Sequence, residues 1–107
     1  MSRITTHVLD TVAGRPAAGI AVALEFQAGA DWRPLAQAAT DADGRARNLL
    51  PDDHVLAPGL YALRFATAGI SPFFPEIVIR FAVEDPGQHY HVPLLLSAYG
   101  YSTYRGS

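Results

Sequence analysis

The sequence contains neither cysteine nor lysine among its 107 residues. The absence of cysteine excludes a disulfide framework and any metal site built on thiolates. All eight basic residues are arginine and the formal net charge is −2, so no basic surface is available to hold a nucleic acid backbone. The chain therefore needs no oxidising compartment, and we expect no nucleic acid partner.

Long hydrophobic runs are also missing. No stretch approaches the length of a membrane-spanning helix, and the opening segment MSRITTHVLD has no apolar run typical of a secretory signal. We expect a soluble cytoplasmic protein that has no membrane partner. Apolar residues make up 50% of the chain, which suffices for one hydrophobic core in a single domain spanning residues 1–107.

The sequence has no helical periodicity longer than one or two turns and is instead a succession of short alternating segments. Turn signals such as TDADGR and DPG separate most of these segments. The pattern predicts an all-β fold, an antiparallel two-sheet β-sandwich of seven to eight strands. The segment NLLPDDHVLAPG is the weakest match to a strand, and we expect a loop there with a short edge strand.

Two of the four histidines lie on an unusual strand face. Alternation in HYHVPLLL directs Tyr90, Val92, Leu94 and Leu96 to the core and leaves His89, His91, Pro93 and Leu95 on the opposite face. A face that mixes histidine, proline and leucine is not typical of a solvated surface, and it predicts a functional site or a subunit interface. By the same alternation His7 lies opposite Ile4, Thr6 and Val8, whereas His54 falls in a loop.

Each candidate also has an ordinary structural explanation. A lone histidine on a strand is more often a hydrogen-bonded surface residue than a catalyst. A metal site is an alternative, since His89 and His91 share a face and His7 could join them; the zinc motifs are absent, so zinc ranks below a metal-free site. Arg45 follows a turn, where arginines are usually solvated. Arg105 belongs to a terminal run, YSTYRGS, that is too aromatic to be typical of a frayed tail.

Three segments together resemble a known family. THVLDTVAGRPAAGIAVALE, TDADGR and HYHVPLLLSAYGYSTYRGS are similar to the 5-hydroxyisourate hydrolases, the transthyretin-related enzymes of urate breakdown. The resemblance covers nearly the whole chain in order, and the ending Y-R-G-S is the family's signature. Transthyretin itself shares the SPF and YST segments but lacks the first-strand histidine, the turn arginine, the second histidine of H-Y-H and Y-R-G-S. All four are present here, so the chain resembles the enzyme rather than the carrier.

The resemblance implies a transthyretin-like sandwich that hydrolyses 5-hydroxyisourate to 2-oxo-4-hydroxy-4-carboxy-5-ureidoimidazoline without a cofactor or a metal. The family's catalytic residues fall on His7, Arg45 and His91. Its substrate-binding tail falls on the last four residues, and strand alternation adds one further residue; this set is Ser102, Tyr104, Arg105, Gly106 and Ser107. The family also implies a homotetramer, a dimer of dimers, with sites built from more than one subunit around a central channel. The segment ATAGISP is shorter than in similar enzymes, so we expect the short helix there to be reduced or absent.

The roles follow from the chemistry of amide hydrolysis, which needs an activated water, a stabilised oxyanion and a proton for the leaving nitrogen. Either His7 or His91 would activate the water, and Arg45 would bind the substrate's polar atoms and the developing oxyanion. In the tail, Tyr104 would narrow the channel, Arg105 would add charge or anchor the tail, and Gly106 would permit a bend. Ser107 would place the terminus or orient a water, and Ser102 would line the same pocket.

Two other functions compete with the hydrolase. The first is a transthyretin-like carrier of a small ligand without enzymatic activity, which would need an open apolar channel rather than one lined by His7, His91 and Tyr104. The second is an immunoglobulin-like adhesion domain, for which a secretion signal would be expected.

Overall fold

The computed structural model describes residues 2–107, and among these residues it contains strands and turns but no helix. The all-β prediction and the transthyretin-like sandwich are confirmed. The strands are β1 (Ile4–Asp10), β2 (Arg15–Pro16), β3 (Ala21–Ala28), β4 (Asp31–Ala39), β5 (Arg45–Ala46), β6 (Gly59–Ala66), β7 (Glu76–Val83), β8 (Tyr90–Leu96) and β9 (Tyr101–Thr103).

Two sheets form the sandwich. The first has the order β2-β1-β8-β9, with β5 also paired to β1, and the second has the order β4-β3-β6-β7. All strand pairs are antiparallel except β1 with β8, which run parallel from the pair Ile4↔Tyr90 to the pair Asp10↔Leu96. The predicted antiparallel two-sheet sandwich is confirmed, and this pair is the exception within it. A parallel pair needs a long crossover between its strands, and alternation within one strand gives no information about its neighbour's direction.

The core lies between the two sheets, where alternation placed it. Ile4, Thr6 and Val8 of β1 are each 0% exposed. The predicted apolar row of β8 is buried opposite the second sheet's largest buried side chains, and this core group comprises Tyr90, Val92, Leu94, Leu96, Tyr61, Leu63 and Phe65. Burial of one such side chain stabilises the fold by about 1.5–3 kcal/mol, so the two faces of β1 and β8 are strongly specified.

The strand count differs from the predicted seven to eight because β2 and β5 are two residues long. A two-residue strand is too short for alternation to detect, and both lie within segments that were assigned to turns. The loop from residue 47 to 58 contains no strand, so the short edge strand expected in NLLPDDHVLAPG is absent. Between β6 and β7 the chain makes only a turn, in which the Thr67 carbonyl accepts from Ile70 N (3.0 Å) and Ser71 N (2.9 Å), so the expected loss of the short helix is confirmed.

Within residues 2–107, no helix is long and apolar enough to cross a membrane. Each sheet ends in a strand that has a neighbour on one side only. The edge strands are β4 and β7 in the second sheet, and β9 and the short strands β2 and β5 in the first. An unpaired strand edge presents free backbone groups, which makes it a place where another chain can pair.

Candidate functional site

The site forms where β1, β5 and β8 lie side by side. The parallel register pairs Thr5 with His91, and the short β5 pairs Arg45 with His7. All four side chains belong to the face of the first sheet that points away from the core, as alternation predicted for the two histidines. Residues from three distant parts of the sequence therefore meet on one sheet face.

A tight turn delivers Arg45 to this face. The Asp41 carboxylate accepts from the backbone N–H groups of Asp43 (2.9 Å) and Arg45 (3.0 Å). These bonds lower the pKa of the exposed Asp41 carboxyl, and the bond from the Arg45 N–H has the largest effect. The carboxyl is therefore ionised at neutral pH and holds the turn. Gly44 has a φ of 77°, in the left-handed region that favours glycine, and a Cβ there would lie 2.5 Å from the Val8 carbonyl oxygen. Asp41 and Gly44 are thus required by the turn that places Arg45 in the site.

A recess of about 190 Å³ opens above these residues. Its lining comprises Thr5, Thr6, Arg45, Arg47, His89, His91 and Ser107. Within residues 2–107 no acidic side chain forms an ion pair with the Arg45 guanidinium, so its planar set of donors is available to a ligand. Two guanidinium groups beside two imidazoles suit a ligand rich in oxygen and nitrogen acceptors.

His7 is half-buried beside its strand partner Arg45 and is not among the residues that line the recess. Its Nε2 lies 2.8 Å from the Asp43 carbonyl oxygen. A carbonyl oxygen only accepts, so Nε2 must carry the proton and donate it, and in the neutral ring Nδ1 is left as the basic nitrogen. The turn that positions Arg45 thus also orients His7.

His91 is half-buried, and its Nδ1 lies 2.8 Å from the Thr5 hydroxyl oxygen. Burial lowers the pKa of the His91 imidazole below its usual value, and the nearby His89, Arg45 and His7 lower it further. The imidazole is therefore neutral at neutral pH, the state in which it accepts a proton. Its Nδ1 is occupied by Thr5, which leaves Nε2 for a ligand or a water.

The tail reaches the site by extending the pairing of β8 with β9. Gly106 N donates to the His91 carbonyl at 2.7 Å. This pair keeps the antiparallel register of β8 and β9, in which Leu94 lies opposite Thr103. Pro93 has no N–H, so the ladder is interrupted between Thr103 and Gly106. Gly106 is not in the positive-φ region, and the reason for glycine is close approach rather than the bend we expected: a Cβ would lie 2.6 Å from His91 Cδ2.

Gly106→Ala tests this contact. The added methyl would overlap the His91 ring and force either the ring or the tail to move, and a displacement of about 1 Å at a reacting group can cost roughly 10²-fold in rate. We expect kcat/KM to fall by about that factor while the melting temperature changes little. Gly100→Ala is the matched control, since its Cβ would meet only Ser97 Oγ at an ordinary 3.5 Å. Equal kinetics for the two variants would show that the tail does not set the position of His91.

The other predicted tail residues lie elsewhere within one chain. Tyr104 is 58% exposed and, with Arg105, lines a separate recess of about 250 Å³ between β7 and the tail. The Arg105 guanidinium stacks 4.5 Å from the centre of the Tyr90 ring and donates to Gln88 Oε1 at 2.9 Å, which anchors the tail. Ser102 is exposed and pairs with Leu95. Of the predicted tail residues, Gly106 and Ser107 are the two that one chain brings to His91.

Other features of the surface lack this combination of groups. A recess of about 380 Å³ on the outer face of the second sheet is lined mainly by alanines, with Arg64 already paired to Glu25 and Glu76. Among residues 2–107, no group of three or more histidine, aspartate or glutamate side chains is placed to hold a metal ion. We therefore take the recess above β1, β5 and β8 as the candidate site.

Sequence reasoning did not identify Thr5, Asp41 or Arg47 as part of this site. Alternation did place Thr5 on the same face as His7, but only the parallel register shows that it contacts His91. Asp41 follows Thr40 in TDADGR and takes the first position of the turn itself, where an aspartate is a known signal for side-chain bonds to the turn's N–H groups. Arg47 had no signal of its own.

Comparison with known proteins gives a family match over almost the whole chain. Residues 4–106 match the model of the HIUase/Transthyretin family. The "5-hydroxyisourate hydrolase" of Caulobacter vibrioides is 49% identical, with all of both chains covered. The protein of that name from Halalkalibacterium halodurans is 43% identical, with 98% of both chains covered.

Solved structures of two kinds share the fold. Sea bream transthyretin in complex with thyroxine matches with a TM-score of 0.88 at 28% identity, covering 98% of this chain and 95% of that one. Klebsiella pneumoniae 5-hydroxyisourate hydrolase matches with a TM-score of 0.82 at 34% identity, covering 97% and 98%. Backbone shape is thus common to a thyroxine-bound transthyretin and a 5-hydroxyisourate hydrolase, and the identity of individual residues must separate them.

Proposed function

The chain belongs to the HIUase/Transthyretin family, and on that premise we propose that it hydrolyses 5-hydroxyisourate in the recess that contains Arg45 and His91. The observation that carries this proposal is that a neutral, half-buried imidazole and a guanidinium with no acidic partner among residues 2–107 meet on one sheet face. Identity of 43–49% to named hydrolases supports the enzyme rather than the carrier, as does the solved hydrolase's 34% identity against 28% for sea bream transthyretin.

The reaction divides among the residues as follows. His91 Nε2 takes a proton from a water as the water oxygen attacks the carbonyl carbon of the six-membered ring. The Arg45 guanidinium donates to the oxygen on which negative charge develops. The carbon–nitrogen bond of the ring then breaks, the leaving nitrogen takes up the proton from the imidazole, and the carboxyl group of the opened product remains.

His7 acts beside this pair. Its proton is held on Nε2 by Asp43, and its strand position pairs it with Arg45. We assign it to the substrate's side of the recess, where its Nδ1 is the available nitrogen. Ser107 lines the same recess and supplies polar groups that orient the ligand or a water. His91 rather than His7 is the general base in this assignment, because its neutral form is favoured by burial and by neighbouring charges.

A second subunit would complete the site. Tyr104 lies beside the edge strand β7 and away from His91 in one chain, and each sheet ends in strands that are paired on one side only. Phe73 and Tyr99, which are 65% and 74% exposed, add an apolar surface near these edges. These features support the homotetramer, a dimer of dimers, in which Tyr104, Arg105 and Ser102 of one subunit would serve the site of another. The single domain over residues 1–107 and the cytoplasmic location stay predictions.

Arg45→Lys tests the proposed site. Lysine keeps the charge but loses the planar set of donors, so we expect kcat/KM for 5-hydroxyisourate to fall by about 10²- to 10³-fold, the usual cost of losing an oxyanion donor. The absorbance decay of freshly generated 5-hydroxyisourate measures the rate. Arg33→Lys on the exposed face of β4 is the control and should keep the wild-type rate. An unchanged rate for Arg45→Lys would exclude Arg45 from the chemistry.

A further inference from the structure

Thr5 contacts two histidines at once. Its hydroxyl oxygen lies 2.8 Å from His91 Nδ1 and 2.9 Å from His89 Nε2. The Thr5 side chain is 3% exposed, and the two rings lie nearly parallel, 18° apart, with centroids separated by 6.3 Å. The parallel pairing of β1 with β8 fixes this arrangement, because Thr5 and His91 are direct partners and His89 precedes β8.

A hydroxyl group has one hydrogen, so Thr5 can donate to only one of the two rings and must accept from the other. In one arrangement His91 Nδ1–H donates to Thr5 and Thr5 donates to His89 Nε2. In the other arrangement His89 Nε2–H donates to Thr5 and Thr5 donates to His91 Nδ1. The tautomer of one neutral ring thereby sets the tautomer of the other.

The two arrangements differ in whether His91 can act as a base. With its proton on Nδ1, a neutral His91 has a free lone pair on Nε2, the nitrogen available to a water. With its proton on Nε2, a neutral His91 has no lone pair on that nitrogen to accept a proton from water. A protonated His89 can only donate, so it imposes the second arrangement and blocks the base.

We propose that Thr5 is a positioning residue that couples His91 to His89 and provides a path for a proton between them. The proposal rests on the role of His91 as general base. When His91 Nε2 takes the proton of water, the Nδ1 proton passes to Thr5 Oγ1 and the hydroxyl proton passes to His89 Nε2. Thr5 remains a neutral hydroxyl, His91 becomes neutral with its proton on Nε2, and His89 carries the positive charge. The reverse transfer returns the proton for the leaving nitrogen.

The surroundings favour this direction of transfer. His91 is half-buried and faces Arg45 of β5 and His7 of β1, whose charges disfavour an imidazolium there and lower the pKa of His91. Arg47 and the Ser107 tail residue complete the groups around the recess. His89 is exposed to solvent, so a proton that reaches its ring can pass on to water.

Thr5→Val removes the hydroxyl and keeps the shape, whereas Thr5→Ser keeps the hydroxyl. We expect kcat/KM to fall by about 10- to 10²-fold in Thr5→Val, a part of the usual effect of acid–base catalysis, and to stay within about threefold of wild type in Thr5→Ser. The acid limb of the pH–rate profile should move to lower pH in Thr5→Val, because protonation of His89 no longer blocks His91. If the acid limb of the pH–rate profile of Thr5→Val lay at the same pH as in the wild type, the coupling between His89 and His91 would be contradicted.

Imidazole nitrogen shifts of ¹⁵N-histidine-labelled protein provide a readout that does not require activity. In the wild type His91 should have a protonated Nδ1, and in Thr5→Val the proton should move to Nε2 or divide between the two nitrogens.

His89→Ala, a change at an exposed position, tests the same coupling should Thr5→Val fail to fold, and it should alter both the His91 shifts and the acid limb. Unchanged shifts and an unchanged limb in His89→Ala would overturn the proposal. If His91→Ala itself kept the wild-type rate, the catalytic assignment would fail; if only the Thr5 and His89 variants behaved as wild type, the coupling alone would fail.

Discussion

Replacing His91 with alanine is expected to lower kcat/KM for 5-hydroxyisourate by about 10²- to 10⁴-fold, the range typical of a lost general base. The imidazole is the group whose pKa is lowered by burial and by neighbouring positive groups, so its neutral form is the one present at neutral pH. The rate of 5-hydroxyisourate decay measures the effect.

Two companion variants separate chemistry from structure. His91→Asn keeps a polar side chain but cannot take up a proton, so it should be nearly as slow as His91→Ala. His54→Ala, in the loop before β6, removes an imidazole outside the recess and should keep the wild-type rate. Circular dichroism should show the same fold for all three. A His91→Asn variant as fast as wild type would remove acid–base chemistry from this position.

Deleting residues 104–107 is expected to reduce kcat/KM by more than about 10²-fold, because it removes Ser107 from the recess and the contact that positions His91. The cost in stability should be smaller. The tail is held by one backbone bond to His91 and by the contacts of Arg105 with Gln88 and Tyr90, which together stabilise the fold by about 2 kcal/mol.

Arg105→Ala serves as the comparison for the deletion, since it removes the anchor but keeps Gly106 and Ser107. Its rate should lie between the rates of the wild type and of the deletion, and thermal unfolding measures the stability of each variant. The account would be contradicted by a folded deletion variant with full activity. It would be contradicted equally by an activity loss that simply follows unfolding.

Much of the site's location could be predicted from alternation. The apolar rows Ile4–Thr6–Val8 and Tyr90–Val92–Leu94 fixed which face of β1 and β8 is buried, and that placed His7 and His91 on the other face. The pattern could not show that β1 and β8 are parallel neighbours, because pairing direction depends on the path of the whole chain. The contact between Thr5 and His91 follows from that pairing, so it could not be predicted from the sequence.

The tail was understood only in part. Its involvement with His91 was predicted, but the reason for Gly106 was not, because a steric contact with a ring across the ladder leaves no local signal in the sequence. Tyr104 was expected beside His91, yet within one chain it lines the recess between β7 and the tail. Alternation fails at this point since Pro93 interrupts the ladder that would have fixed the side-chain direction.

The most direct test of the central claim is to observe the four imidazoles while a ligand binds. An unreactive purine analogue such as urate, titrated into ¹⁵N-histidine-labelled protein, should shift the ring nitrogens of His91 and His7 with one common affinity and leave those of His54 unchanged. Saturable binding that leaves the His91 and His7 signals in place would put the substrate elsewhere and contradict the account.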